Sequence, residues 1–550
     1  MKKIRILSLI LSALMIISFA SCAAKAPGEE EYIGNGAIGN LYPNKSESYY
    51  SSATDSTDAS VNIMGGNNPN YNFKVEEEAK DAMESPSGSY DIVDGDQPSI
   101  SWPAFIENPF VKASENNTST FSADVDTASY AYFRKLVNSG YSFKDLTYSG
   151  ATFRTEEFIN YFKYDVEDPA ENELFGVETS IIPCPWNSEN LLLRVTMQAE
   201  KAINEKGNNL VFLIDVSGSM QSSDKLPLLK RAFTYLVDNL TENDTISIVT
   251  YSGREQVVLE GCKGNKKTEI LNAINSLVAS GSTNGEAGLK KAYQIAESYM
   301  IEGGNNRIIM ASDGDLNVGI SSTEQLKSFV ADKRDQGVYL SVLGFGTGNY
   351  RDSKMEAIAD NGNGIYYYID GESEAEKVFA TDLLGTLYTV AEDVKLQIEF
   401  NSESIESYRL IGYENRVMAN EDFENDAKDA GEVGASHQVT VCYEIKPAIV
   451  AKDSAKIYPY ATLRVRYKNP GETLSRLNEY EIGNVAANAD DDEKFLSAVI
   501  ELCMLLHNSE YIGDITLEDI AEDLSALNLS QHPERAELYE LVRTLISRQK

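Results

Sequence analysis

Between residues 209 and about 390 the chain alternates two kinds of hydrophobic pattern. Solid apolar runs read as strands: Val211–Ile214, "TISIVTY", "EQVVLE", "RIIMAS", "VYLSVLGFG" and "IYYYI". Between and after them, apolar residues return at helical spacing in "KLPLLKRAFTYLVDNL", "KTEILNAINSLVA", "EAGLKKAYQIAESYM", "STEQLKSFVADKRDQ", "DSKMEAIADN" and "SEAEKVFATDLLGTLYTV". Strands that are apolar throughout need helices on both faces. The pattern therefore predicts an α/β domain over 201–392, built on a doubly wound parallel sheet.

The flanks carry a different rhythm. "STFSADVDTASYAYFRKLVNSG" predicts a short strand, an Asp/Thr cap and a helix ended by Gly140, and "RTEEFINYF" a second helix capped by Thr155. Asp124 and Asp126 could together meet a cation, but helix capping is the simpler use of "DVDT" and the one expected. "FGVETSII" and "NLLLRVTMQA" are strand-like, so region 101–200 runs from helices into strands. Beyond the α/β segment, Val394, Leu396, Ile398 and Phe400 alternate, as does "ATLRVRY", which makes 393–485 β-rich. Isolated short strands cannot bury a face alone, so the two flanks are expected to pair into one sheet domain with the α/β unit inserted. "EKFLSAVIELCMLLH" and "PERAELYELVRTLISR" predict a helical region over 486–550.

The amino-terminal hundred residues have no such period. Lys2, Lys3 and Arg5 precede an apolar stretch from Ile6 to Phe19, and "FASC" places small residues before Cys22. That is a secretory signal over 1–21, too short for a stable span, with Cys22 placed as a bacterial lipobox cysteine. Residues 22–100 mix Ser, Gly, Asn and acids and read as a disordered tether behind a lipid anchor. The chain is thus expected to be exported and held in the cell envelope: at the outer membrane in a Gram-negative cell, at the plasma membrane in a Gram-positive one. A formal net charge of −37 argues against nucleic-acid binding and favours cations. Cys184, Cys262, Cys442 and Cys503 form no C-x-x-C, and three disulfide pairings are open to them. Cys503, in "ELCMLL", reads as a small buried hydrophobe.

The candidate chemistry lies in "VFLIDVSGSM". Ligands of a doubly wound sheet bind beyond the carboxyl ends of strands, where strand order reverses. Asp215 ends the first strand there, and Asp313, in "SDGD", ends "RIIMAS". If the order is 3-2-1-4-5-6, these two strands are neighbours and the two acids meet. "SGSTNGEAGL" adds a glycine-rich loop with Thr283, and Gly218 lets a tight turn aim Ser217 and Ser219 at one point. Two carboxylates and three hydroxyls are all oxygen, which suits a hard ion such as Mg²⁺, or Mn²⁺ or Ca²⁺, rather than zinc or copper.

Enzyme readings fare worse. Ser222 to Lys225 has the S-x-x-K spacing of penicillin-interacting serine enzymes, but Ser312-Asp313-Gly314 lacks the companion Asn and Lys267-Thr268-Glu269 the companion Gly. "GFGTGN" has Asn349 where a dinucleotide loop needs its third glycine. His437, His507 and His532 all lie outside the α/β segment, leaving no general base there, and the chain is read as a non-enzyme. Asp490 to Glu493 could bind calcium but suits a helix N-terminus better.

These residues resemble the von Willebrand factor type A (VWA) domain with its metal-ion-dependent adhesion site. The wider chain resembles the bacterial lipoproteins that carry such a domain. The likeness runs through "NPFVKASENNTSTFSADVDTASYAYFRKLVN", "RTEEFINYFKYD" and "YRLIGYENRVMANEDFENDAKDAGEVGASHQVTVCYEI". The resemblance implies that Ser217, Ser219 and Thr283 offer hydroxyls to the ion and that Asp215 and Asp313 hold it, often through water. One coordination position then stays open for a partner's acidic side chain, and occupation can be coupled to a shift of the last helix. The function implied is adhesion or protein–protein interaction at the envelope, with organisation of neighbouring membrane proteins as the alternative.

Overall fold

The computed structural model describes residues 106–549, except 124–125, 149–152, 172, 202–205, 283–284, 315–322, 347–351, 387–388, 429, 449–458, 484 and 486–488. The secretory signal, Cys22 and the tether lie outside the described residues, as do Asp124 and Thr283. Among the described residues no helix is long and apolar enough to cross a membrane.

Among the described residues sixteen strands follow in chain order. β1 (Val111–Lys112), β2 (Thr118–Ser122), β3 (Phe175–Pro183) and β4 (Leu191–Ala199) come first. β5 (Asn208–Asp215), β6 (Thr245–Tyr251), β7 (Glu255–Lys263), β8 (Asn305–Ser312), β9 (Tyr339–Phe345) and β10 (Tyr366–Ile369) form the middle set. β11 (Thr389–Phe400), β12 (Ile405–Ile411), β13 (Gly431–Gly434), β14 (Gln438–Pro447), β15 (Ala461–Lys468) and β16 (Arg476–Ile482) come last.

The middle set makes one six-stranded sheet in the order β10-β9-β8-β5-β6-β7, which is the expected doubly wound order read from its far edge. Every residue of β5, β6 and β8 is buried, because helices cover both faces. Leu210, Phe212 and Ile214 face the helix Leu226–Asn239 on one side, while Val211 and Leu213 face the helix Gly285–Ser298 on the other. The sheet is not wholly parallel as expected: β7 runs antiparallel to β6. Only three residues join them, and a parallel crossover needs a dozen or more.

The two flanks pair. β4 lies antiparallel to β14, with Gln198 opposite Gln438 and Leu191 opposite Ile445, and this pair sits inside the sheet β1-β12-β14-β4-β3. A second sheet, β13-β11-β15-β16 with β2 on β11, packs on it. Alternation sorts the side chains: Ile181 and Leu193 enter the core between the sheets, whereas Ile182 and Leu192 point the other way. There they meet the helices Ala128–Asn138, Thr155–Tyr161, Asp491–Leu506, Leu517–Ser525 and Pro533–Arg548. The α/β unit is inserted between β4 and β11.

Local expectations at helix ends held in part. Asp490 and Glu493 form a reciprocal capping box on the helix Asp491–Leu506. Thr155 is not a cap; it is the first helical residue, after Arg154. The N-cap of the helix Ala128–Asn138 is Thr127, whose side chain makes no cap hydrogen bond, and Asp126 Oδ1 accepts the Tyr366 N–H of β10 at 3.0 Å. The N–H of Ser129 finds Glu157 Oε2 at 2.6 Å instead, a cap supplied by the neighbouring helix. The last α/β helix stops at Thr386, so Thr389 and Val390 belong to β11, and it contains a π turn over Val378–Asp382. All four cysteines from Cys184 onward are buried and free.

Candidate metal centre

Parallel pairing sets β5 beside β8 with Ile214 opposite Ala311, so Asp215 and Asp313 emerge side by side at the same end of the sheet. Both are buried, at 0% and 2% exposure. Asp215 Oδ1 accepts the Ser217 N–H at 2.7 Å, which curls the chain back over the strand end. Ser217 then starts a 3-10 turn, Gly218–Gln221, and the Ser217 and Ser219 hydroxyls come within 2.9 Å of each other. This is the convergence that alternating serines around a glycine were expected to produce.

The threonine loop is tied to that turn through its backbone. Gly218 N–H donates to Gly281 O at 3.0 Å, and Ser280 N–H donates to Val216 O at 2.7 Å. Gly281 has φ +86°, a conformation a side chain would strain. The loop carrying Ser280 to Ser282 thus lies against the Asp215 turn. Thr283 itself is outside the described residues.

Electrostatics single out Asp215. Its Oδ2 is buried and, among the described residues, makes no well-formed hydrogen bond, the nearby Tyr251 hydroxyl being the one donor that faces this carboxylate from β6. Burial pushes its pKa up to about 6, against the pull of the Ser217 hydrogen bonds, and the nearby Asp313 charge adds to the rise. A buried carboxylate oxygen without a well-formed hydrogen bond is costly, and a cation is the group that would relieve it. The donor set fits a hard ion: two carboxylates, a pair of hydroxyls and no sulfur or imidazole. Among the described residues there is no cluster of three or more His, Cys, Asp or Glu that could hold a metal ion.

Sequence reasoning missed two residues of the site. Tyr251, opposite Asp215 at the end of β6, is fully buried with its hydroxyl facing Asp215 and Ser312, and burial raises its pKa well above the ordinary phenol value. Lys225 Nζ donates to Asp313 Oδ2 at 2.8 Å and to Ser219 O at 3.0 Å. The S-x-x-K spacing therefore assembles no nucleophile: the Ser222 hydroxyl donates to Asp224 at 2.6 Å, away from the lysine.

A doubly wound sheet whose first and fourth strands end in this acid–hydroxyl cluster defines a VWA-type module. The comparisons agree: the family model described as "von Willebrand factor type A domain" matches residues 209–381. One described as "von Willebrand factor" matches 97–194, and "Uncharacterized protein YfbK, C-terminal" matches 385–547. The Escherichia coli (strain K12) protein "Uncharacterized protein YfbK" is 41% identical over 441 residues, covering 76% of this chain and 76% of that protein. The chain belongs to the YfbK family of VWA-domain proteins. A Synechocystis protein, "Uncharacterized protein sll0103", is 30% identical over 195 residues, 36% of this chain and 45% of that one. The solved structure "von Willebrand factor type A from Catenulispora acidiphila" aligns at TM-score 0.39 and 18% identity, over 62% of this chain and 80% of that one.

Proposed function

We propose that this chain is a cell-envelope lipoprotein, anchored through Cys22, that binds protein ligands at a divalent-metal site. Asp215, Ser217, Ser219, Thr283 and Asp313 are the residues assigned to hold the ion, with Mg²⁺ the first candidate and Mn²⁺ or Ca²⁺ the others. The observation that carries the reading is the buried Oδ2 of Asp215, without a well-formed hydrogen bond among the described residues, beside the paired Ser217 and Ser219 hydroxyls. When bound, the ion supplies a Lewis-acidic centre for a carboxylate oxygen of the partner. The chain's own residues do the rest. The Ser217 N–H holds Asp215 in place, and the Gly218–Gly281 bond keeps the threonine loop in register. Tyr251, buried opposite Asp215 at the end of β6, turns its hydroxyl toward that carboxylate. No general base is assigned at the site, so the role proposed is binding without catalysis.

The test is calorimetry with Mg²⁺ and Mn²⁺ on the purified full chain and on Asp215→Ala, together with crosslinking in intact cells. We expect saturable binding by the native protein and none by the variant, and crosslinks to a partner that EDTA and Asp215→Ala both abolish. A Cys22→Ala chain in the same cells should leave the membrane fraction. Crosslinks that survive both EDTA and Asp215→Ala would show that the partner binds elsewhere.

A further inference from the structure

The lysine of the S-x-x-K spacing has no part in the metal reading, yet its position is built. Lys225 precedes the helix Leu226–Asn239, and its side chain is only 13% exposed. Its ammonium bridges Asp313 Oδ2 and Ser219 O, at 2.8 and 3.0 Å. The stem passes over Gly346, just beyond β9, where a Cβ would stand 2.2 Å from Lys225 Cε. Gly346 has φ +77°, a conformation a side chain would strain, and an added Cβ would also push the lysine stem aside. The adjacent Asp224 is engaged by Ser222 and by Lys135, which leaves Asp313 as the carboxylate paired with Lys225.

We propose that Lys225 is a tethered counter-ion that competes with the divalent cation for Asp313. This rests on the metal-site reading above. The ammonium satisfies Asp313 whether or not an ion is available, so the end of the sheet does not depend on metal to fold. An entering divalent ion meets a positive charge already seated on one of its two acids. It has to displace that ammonium, and binding is weakened accordingly. Lys225 thereby sets the affinity of the site and keeps metal exchange reversible.

The experiment is titration of the full chain with Mg²⁺ and with Mn²⁺, comparing native protein with Lys225→Met and Lys225→Arg. Lys225→Gln stands in if the Met variant does not fold by circular dichroism. Removing the charge is expected to tighten binding at least tenfold, while Arg, which keeps it, stays near the native affinity or below. In EDTA the Met variant should melt below the native protein and regain the difference on adding Mg²⁺. Equal or weaker binding by Lys225→Met overturns the proposal, as does tightening by Arg as large as that by Met. Silence from native and Met chains alike removes the metal reading itself, and this inference with it.

Discussion

Glu501 illustrates how a single buried group can set the pH response of a fold. It lies on the inner face of the helix Asp491–Leu506 at 1% exposure. Burial raises its pKa to about 8, and Asp523 and Asp519 on the next helix add to the rise. An acid whose folded pKa lies above its unfolded value of 4.5 gives stability that is fully present below pH 4.5. That stability is lost as pH climbs toward 8, because the unfolded chain releases its proton first. Glu501→Gln keeps the shape and removes the titration. The variant should be more stable than native by about 2–4 kcal/mol near pH 8. The gap should close toward pH 4.5, as read by urea unfolding across that range, and a constant gap at all pH values would contradict the assignment. Single residues also mark where sequence was informative. Asp215, Ser217, Ser219 and Asp313 were legible because strand ends and a glycine turn fix their directions locally. Lys225 and Tyr251 were not, since Lys225 reaches an acid 88 residues away and Tyr251 joins the site only through strand pairing.

At the scale of elements, the hydrophobic period placed all six strands and all six helices of the α/β unit, because each buries a face that has to recur. The error lay in direction. "EQVVLE" begins four residues after "TISIVTY" ends, too soon for any crossover, so the antiparallel β7 was available from spacing alone. The helix Phe143–Tyr148 was not singled out, being short and burying only Leu146, whereas Leu517–Ser525 falls within the helical region expected over 486–550, with Leu517, Ile520 and Leu524 at helical spacing. Close helix–sheet approach is visible at Gly288, in the helix Gly285–Ser298 that follows the threonine loop. A Cβ there would lie 2.8 Å from Tyr251 Cβ and 3.2 Å from Leu213 Cδ1. Gly288→Val should therefore lift the helix off β5 and β6 and cost about 1–3 kcal/mol. Because Tyr251 lies against Asp215, Mg²⁺ affinity should fall with it. Calorimetry and thermal melts on the same variant test both effects, and a destabilised protein with native metal affinity would separate the helix packing from the site.

Across the described residues, the inserted architecture explains how β segments far apart in sequence pair into one sandwich. The two ends of the insertion meet on one turn: Ser436 N–H donates to Glu200 O at 3.0 Å, and Gly434 pairs with Thr389 at the start of β11. The α/β unit therefore leaves and re-enters the sandwich within a few residues, without disturbing the β4–β14 register. A separate connection runs through Arg134, on the helix Ala128–Asn138 and 5% exposed. Its guanidinium donates to both oxygens of Asp370 at 2.6 and 2.8 Å, to Glu374 at 2.6 Å, to Glu537 at 2.9 Å and to the Tyr161 hydroxyl at 2.8 Å. Asp370 follows β10, Glu374 opens the last α/β helix, and Glu537 belongs to the C-terminal helix Pro533–Arg548. One cation thus joins three parts of the chain, and the three acids lose their common partner if it is removed. Arg134→Met retains much of the volume but leaves buried carboxylates uncompensated, and should destabilise the fold by about 3–5 kcal/mol at neutral pH. Hydrogen exchange should report the loss first in the helices Glu372–Lys377 and Pro533–Arg548, ahead of β4 and β14, whose pairing does not depend on this residue. If exchange instead quickened in the sandwich while those helices kept native protection, the network would be incidental and the α/β unit would be held by its other contacts, among them Arg154–Glu356 and Arg416–Asp360.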